Sequence, residues 1–123
     1  DFGIALPTAA DSWKHAKRAE ELGFSHAWFY DTQMLSADCV VAMGAAAVNT
    51  QRIRLGTGVL VPSNRIAPVA ANALATLNSL APGRIDFGIG TGFTARTSTH
   101  SQRGSSVGLL TVKAPGLFAS PVT

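Results

Sequence analysis

Short apolar runs alternate with amphipathic stretches along most of the chain. Phe2-Gly-Ile-Ala-Leu-Pro7 is an apolar run closed by proline, which predicts a buried strand ending at Pro7. Asp11 and Ser12 are both good N-caps. Behind them Trp13, Ala16, Ala19 and Leu22 recur at a spacing of three, with Lys14, Lys17, Arg18, Glu20 and Glu21 mostly between. That spacing predicts an amphipathic helix, ended by Gly23 where a left-handed residue is wanted. His26-Ala-Trp-Phe-Tyr30 reads as the next strand, and Val40, Val41, Gly44, Ala45 and Val48 behind Asp38 as a second helix with a small-residue face. Arg54-Leu-Gly-Thr-Gly-Val-Leu-Val-Pro62 is a continuous apolar run with two internal glycines. Such a run suits a strand covered on both faces, and its glycines mark a bulge or a close approach to the backbone. Pro68 opens a third helix carrying Leu74, Leu77 and Leu80, stopped by Ala81-Pro82-Gly83; Ile85-Asp-Phe-Gly-Ile-Gly90 is a fourth strand.

The order β-α-β-α-β-α-β argues for an α/β fold with a parallel sheet and right-handed crossovers. An open doubly wound sheet and the amino-terminal half of a (β/α)8 TIM barrel both fit, since a complete barrel needs about 250 residues. After Phe93 the periodicity stops where a fourth helix is due. Residues 1–93 therefore read as a half-barrel and 94–123 as an irregular, disordered tail, and the fourth strand is expected to leave an unpaired edge that favours self-association.

Composition narrows the function classes. The chain is 46% hydrophobic and 14% charged, a core-forming balance. Its net charge of +3 lies wholly in Arg96, Arg103 and Lys113, because residues 1–93 carry seven basic and seven acidic side chains. No phosphate-tracking patch results, which argues against nucleic acid. No apolar stretch reaches the roughly 20 residues of a membrane span, and the single cysteine, Cys39, sits in an apolar helical context; both fit a cytoplasmic protein.

Motifs for specific chemistry are sparse. Gly56-Thr-Gly58 and Gly88-Ile-Gly-Thr-Gly92 lack the third glycine of a dinucleotide fingerprint, having Val61 and Phe93 there. His15, His26 and His100 are scattered, so no metal site is expected. Asp31, just beyond the second strand, stands at the end where barrel sites assemble, in line with Pro7, Pro62 and Thr91. A carboxylate there needs solvent, a donor or a ligand, and a turn or cap role is its alternative reading.

Five segments in order carry a resemblance: Phe2-Gly-Ile-Ala-Leu-Pro7, Ala19-Glu-Glu-Leu-Gly-Phe24, Ala27-Trp-Phe-Tyr-Asp31, Arg52-Ile-Arg-Leu-Gly-Thr-Gly-Val59, and Leu80-Ala-Pro-Gly-Arg84 followed by Gly88-Ile-Gly-Thr-Gly92. Over residues 2 to 95 the chain resembles the amino-terminal part of the luciferase-like monooxygenases, nearest to the F420- or FMN-dependent oxidoreductases of the methylenetetrahydromethanopterin reductase type. The resemblance implies a (β/α)8 barrel with coenzyme F420 or FMN at the carboxyl face of its strands, acting on a small organic molecule in a homo-oligomer. It implies a non-proline cis peptide at Gly58–Val59 behind the ring, with Asp31 and Thr91 near the pocket. Some F420 enzymes of the family carry a histidine directly after the aspartate; here that position is Thr32, so a histidine mechanism does not transfer and no catalytic residue is assigned. Most phosphate contacts would come from strands beyond residue 123, and the chain alone is expected to have little activity.

Overall fold

The computed structural model describes residues 1–91 and a separate strand at 110–113. The elements are β1 (Gly3–Leu6), α1 (Ser12–Glu21), β2 (His26–Phe29), α2 (Cys39–Asn49), β3 (Arg54–Leu60), a 3-10 turn (Pro62–Asn64), α3 (Ala67–Leu80), β4 (Ile85–Ile89) and β5 (Leu110–Lys113). The sheet runs in sequence order. β1 to β4 are parallel, as the alternation predicts for half of a barrel, and β5 is antiparallel to β4.

β5 corrects two expectations. Residues 110–113 form a strand where irregular structure was anticipated, and they cover the β4 edge that was expected to be unpaired. Thr111 and Val112 are β-branched, and an open strand edge offers them unpaired N–H and C=O groups. The rest of the anticipated tail lies outside the described residues.

The helices cover one face of the sheet. Leu6, Ala27, Phe29, Leu55 and Ile85 point outward from their strands and meet Ala16, Ala19, Met43, Ala46 and Leu77 of the helices in one core. Small side chains on α1 and α2 let the helices lie close to the sheet. Among the described residues no helix is long and apolar enough to cross a membrane.

Capping follows the sequence only in part. Asp38 caps α2 as expected, accepting from the amides of Val40 at 2.9 Å and Val41 at 3.1 Å. Asp11 makes no side-chain cap; the adjacent Ser12 hydroxyl instead accepts from the Ala9 amide at 2.8 Å and donates to the Pro7 carbonyl at 3.0 Å, closing the β1–α1 loop. Gly23 takes φ +90°, the left-handed geometry that ends α1.

Two long-range grips fix the approach to β3. The Glu20 carboxylate accepts from three consecutive amides, those of Gln51, Arg52 and Ile53. Arg84 reaches back from β4 to donate to the carbonyls of Ala47, Thr50 and Ile53 and to the Thr50 hydroxyl, at 2.9 to 3.1 Å. A cation at the last carbonyls of α2 also complements the helix dipole.

Candidate functional site

The sheet face away from the helices is the one that would line a barrel. Register sets Ala5 beside Trp28 and Trp28 beside Gly56, so one bulky indole lies between two small neighbours. Toward the amino ends of the strands, His26 stacks on Trp28 with ring centroids 5.8 Å apart. Beside it Arg54 grips Asp86 through two bonds of 2.8 and 2.6 Å, and His26 Nε2 stands 3.8 Å from the same carboxylate. Asp86 is 2% exposed, so this pairing answers the cost of burying its charge.

Toward the carboxyl ends the face opens into a cavity of about 240 Å³ lined by Ala5, Trp28, Tyr30, Thr57, Gly58 and Val59. The Gly58–Val59 peptide is cis, at the position the sequence resemblance implied. The register between β3 and β4 shifts between Thr57 and Leu60. The buried Thr57 hydroxyl bridges this gap, donating to the Gly88 carbonyl at 2.8 Å and accepting from its amide at 3.1 Å. Gly90 then rejoins the ladder, its amide donating to the Leu60 carbonyl at 3.1 Å. A Cβ on Gly90 would lie 3.2 Å from the Val59 side chain, and one on Gly58 would lie 3.1 Å from Cβ of Trp28. Glycine at Gly58 leaves that position of the cavity wall without a side chain, and glycine at Gly90 leaves room for the Val59 side chain.

Asp31 is 4% exposed and does not line the cavity. Its Oδ2 accepts from the Val61 amide at 3.1 Å and its Oδ1 from Gln33 Nε2 at 2.8 Å, with Arg65 Nη2 at 3.6 Å. The carboxylate thus ties the end of β2 to the end of β3. Arg65 also donates to Asp38 at 2.7 Å. Burial alone would raise the Asp38 pKa, but Arg65 and the two helix amides outweigh it and hold the carboxyl below its usual range. Cys39 lies beside this cluster; burial first, then the Asp31 charge, pushes its thiol up to about 12. Neutral and enclosed, it is a structural thiol. Thr91 is exposed just past the end of β4 and does not line the cavity.

Of the four positions proposed from sequence, the structure brings Gly58 and Val59 into one cavity wall, while Asp31 and Thr91 lie outside its lining. Trp28, Thr57 and Arg65 were missed as site residues. Trp28 carried a signal, because an indole flanked in register by Ala5 and Gly56 marks a seat, but reading it requires the pairing of three strands. No group of His, Cys, Asp or Glu that could hold a metal occurs among the described residues. A second hollow, about 340 Å³, lies between α3 and β4 on the helix side and is lined almost wholly by apolar groups such as Leu74, Phe87 and Ile89. It is where a helix following β4 would lie in a β/α alternation, and it brings no set of polar groups together.

Known proteins resemble this chain in sequence and fold. The chain is 55% identical over 51 residues to the F420-dependent glucose-6-phosphate dehydrogenase of Beutenbergia cavernae, covering 41% of this chain and 15% of that protein. It is 37% identical over 78 residues to the 5,10-methylenetetrahydromethanopterin reductase of Methanolobus tindarius, covering 63% and 24%. Among solved structures, the coenzyme F420-dependent tetrahydromethanopterin reductase of Methanopyrus kandleri superposes with a TM-score of 0.67 at 33% identity, over 76% of this chain and 28% of that one. A monooxygenase from Streptomyces bottropensis gives 0.65 at 32% identity, over 72% and 32%. The chain therefore spans no more than about a third of these relatives' lengths. The model of the luciferase-like monooxygenase family matches residues 4–105, reaching past the 2 to 95 expected from sequence. With that match over most of its length, on a sheet whose strands and crossovers follow the same order, the chain belongs to the luciferase-like monooxygenase family.

Proposed function

We propose that this chain supplies the β1–β4 side of the ring site in an oxidoreductase that uses coenzyme F420 or FMN. The observation that carries the reading is the cavity walled by Gly58 and Val59, where missing side chains leave a flat apolar surface beside an aromatic floor. A planar tricyclic ring suits that shape, and cofactor sites favour the carboxyl ends of barrel strands. When bound, the cofactor supplies hydride transfer or oxygen activation. Gly58 and Val59 would contact one ring face, Thr91 would stand at the rim, and Asp31 would hold the wall from behind through the Val61 amide.

Asp31 is already engaged by Val61, Gln33 and Arg65, so its task is positioning. The relatives named as F420-dependent favour the deazaflavin over FMN. Self-association is supported by α2, which has no charged residue and exposes Val41 and Val48 to solvent.

The test is a visible-absorbance titration of the complete product of the gene encoding residues 1–123 with F420 and with FMN. A saturable shift at one equivalent with either is expected. No shift with both would overturn the reading.

A further inference from the structure

Trp28 dominates the inner face, and glycines surround it. A Cβ on Gly3 would lie 2.9 Å from its Nε1, and one on Gly56 would lie 2.5 Å from its Cε3. Real Cβ atoms essentially never come within 3.0 Å of another heavy atom, so both positions must be glycine while the indole lies flat across β1, β2 and β3. Gly58 makes the third close approach, at 3.1 Å to Cβ of Trp28. On the side away from the cavity His26 stacks against the ring, next to the Arg54–Asp86 pair, so the indole rests on a braced layer. The same indole lines the 240 Å³ cavity together with Gly58 and Val59.

We infer that Trp28 is the floor of the ring cavity and a specificity-determining residue, fixing how deep a planar ring enters beside Gly58–Val59. Gly3 and Gly56 are the seat that lays it flat. The inference rests on the cofactor reading above and adds to it a residue and a direction of effect. An indole presents a broad apolar face at little conformational cost, and offset or edge-to-face contact with a second aromatic ring adds to simple burial. Removing it deepens the cavity and leaves the inner ring edge without contacts. A methyl group on Gly56 has the opposite geometric effect, lifting the indole into the cavity.

The experiment titrates the complete gene product with F420 and with FMN, reading tryptophan emission and affinity together. Comparison with Trp28→Phe isolates the emission of Trp28, and needs no variant with an altered cavity volume beyond that one change. Ligand is expected to quench Trp28. Trp28→Ala and Gly56→Ala should each weaken binding about tenfold, while Trp28→Phe, which keeps a ring on the floor, stays within about threefold. Binding by the unaltered protein with no change in Trp28 emission would overturn this inference alone. So would undiminished affinity in both Trp28→Ala and Gly56→Ala, whatever the emission does. Absence of any binding by the unaltered protein would overturn the cofactor reading and this inference with it.

Discussion

Replacing Glu20 with alanine removes the grip that sets β3 in place. Its carboxylate accepts from the amides of Gln51 at 3.0 Å, Arg52 at 2.5 Å and Ile53 at 2.8 Å, the last being the residue before β3 begins. A hydrogen bond to a charged partner contributes about 1.5 to 3 kcal/mol net when buried. Only the Ile53 bond is partly buried and the others face solvent, so the three together are expected to contribute about 2 kcal/mol at pH 7. The sign with pH follows from the carboxyl's pKa. Burial raises it, but the three amides and the Arg52 charge outweigh that and hold it below its ordinary 4.5. A depressed folded pKa means the contribution is fully present above 4.5 and is lost as pH falls through the folded value. Urea unfolding of Glu20→Ala beside the unaltered chain should therefore show a gap of about 2 kcal/mol at pH 7 that narrows below about pH 4. A gap that is absent at neutral pH, or that stays constant into acid, would refute the argument.

Arg54→Met leaves the Asp86 carboxylate buried with only His26 near it. The expected loss is about 3 to 5 kcal/mol, read as a lowered denaturation midpoint, and an Arg54→Met, Asp86→Leu pair should recover much of it. Cys39, with its thiol near pKa 12, should resist thiol reagents at pH 8 in the folded chain and react on addition of denaturant; fast labelling of the native form would contradict its burial.

Much of the fold was legible because period and punctuation agree. Four apolar runs each end at proline, aspartate or glycine, and the intervening stretches carry helical spacing, so the alternation could be read from one chain. Details resolved by competition between neighbours were not. Asp11 and Ser12 were equal candidates for capping; neither side chain caps the helix amides, and the Ser12 hydroxyl closes the loop onto Pro7 and Ala9 instead. β5 is a short strand whose backbone pairs with the edge that β4 offers, a partner the local sequence does not name.

The site was legible as positions and not as partners. Asp31 stood out as a carboxylate at a strand end, but nothing local in the sequence connects it to the Val61 amide or to Arg65, both about thirty residues away. In the structure its carboxylate accepts from the Val61 amide across two strand ends and from Gln33 two residues on. Arg54, Asp86 and Glu20 entered the sequence reading as members of their strands and helix with no partner named, whereas each has a fixed partner across the fold. Gly58 was marked by its place inside an apolar run. The reason for it requires Trp28 on the neighbouring strand.

The cofactor reading requires that the wall at Gly58 and Val59 meet a flavin-type ring. The most direct test compares the affinity of F420 and FMN for the complete gene product and for its Gly58→Val variant, with thermal unfolding confirming that the variant is folded. A side chain at Gly58 would project from the bare wall beside Trp28, so a loss of affinity of about tenfold or more is predicted for whichever cofactor binds. Equal affinity in the folded variant would contradict the claim.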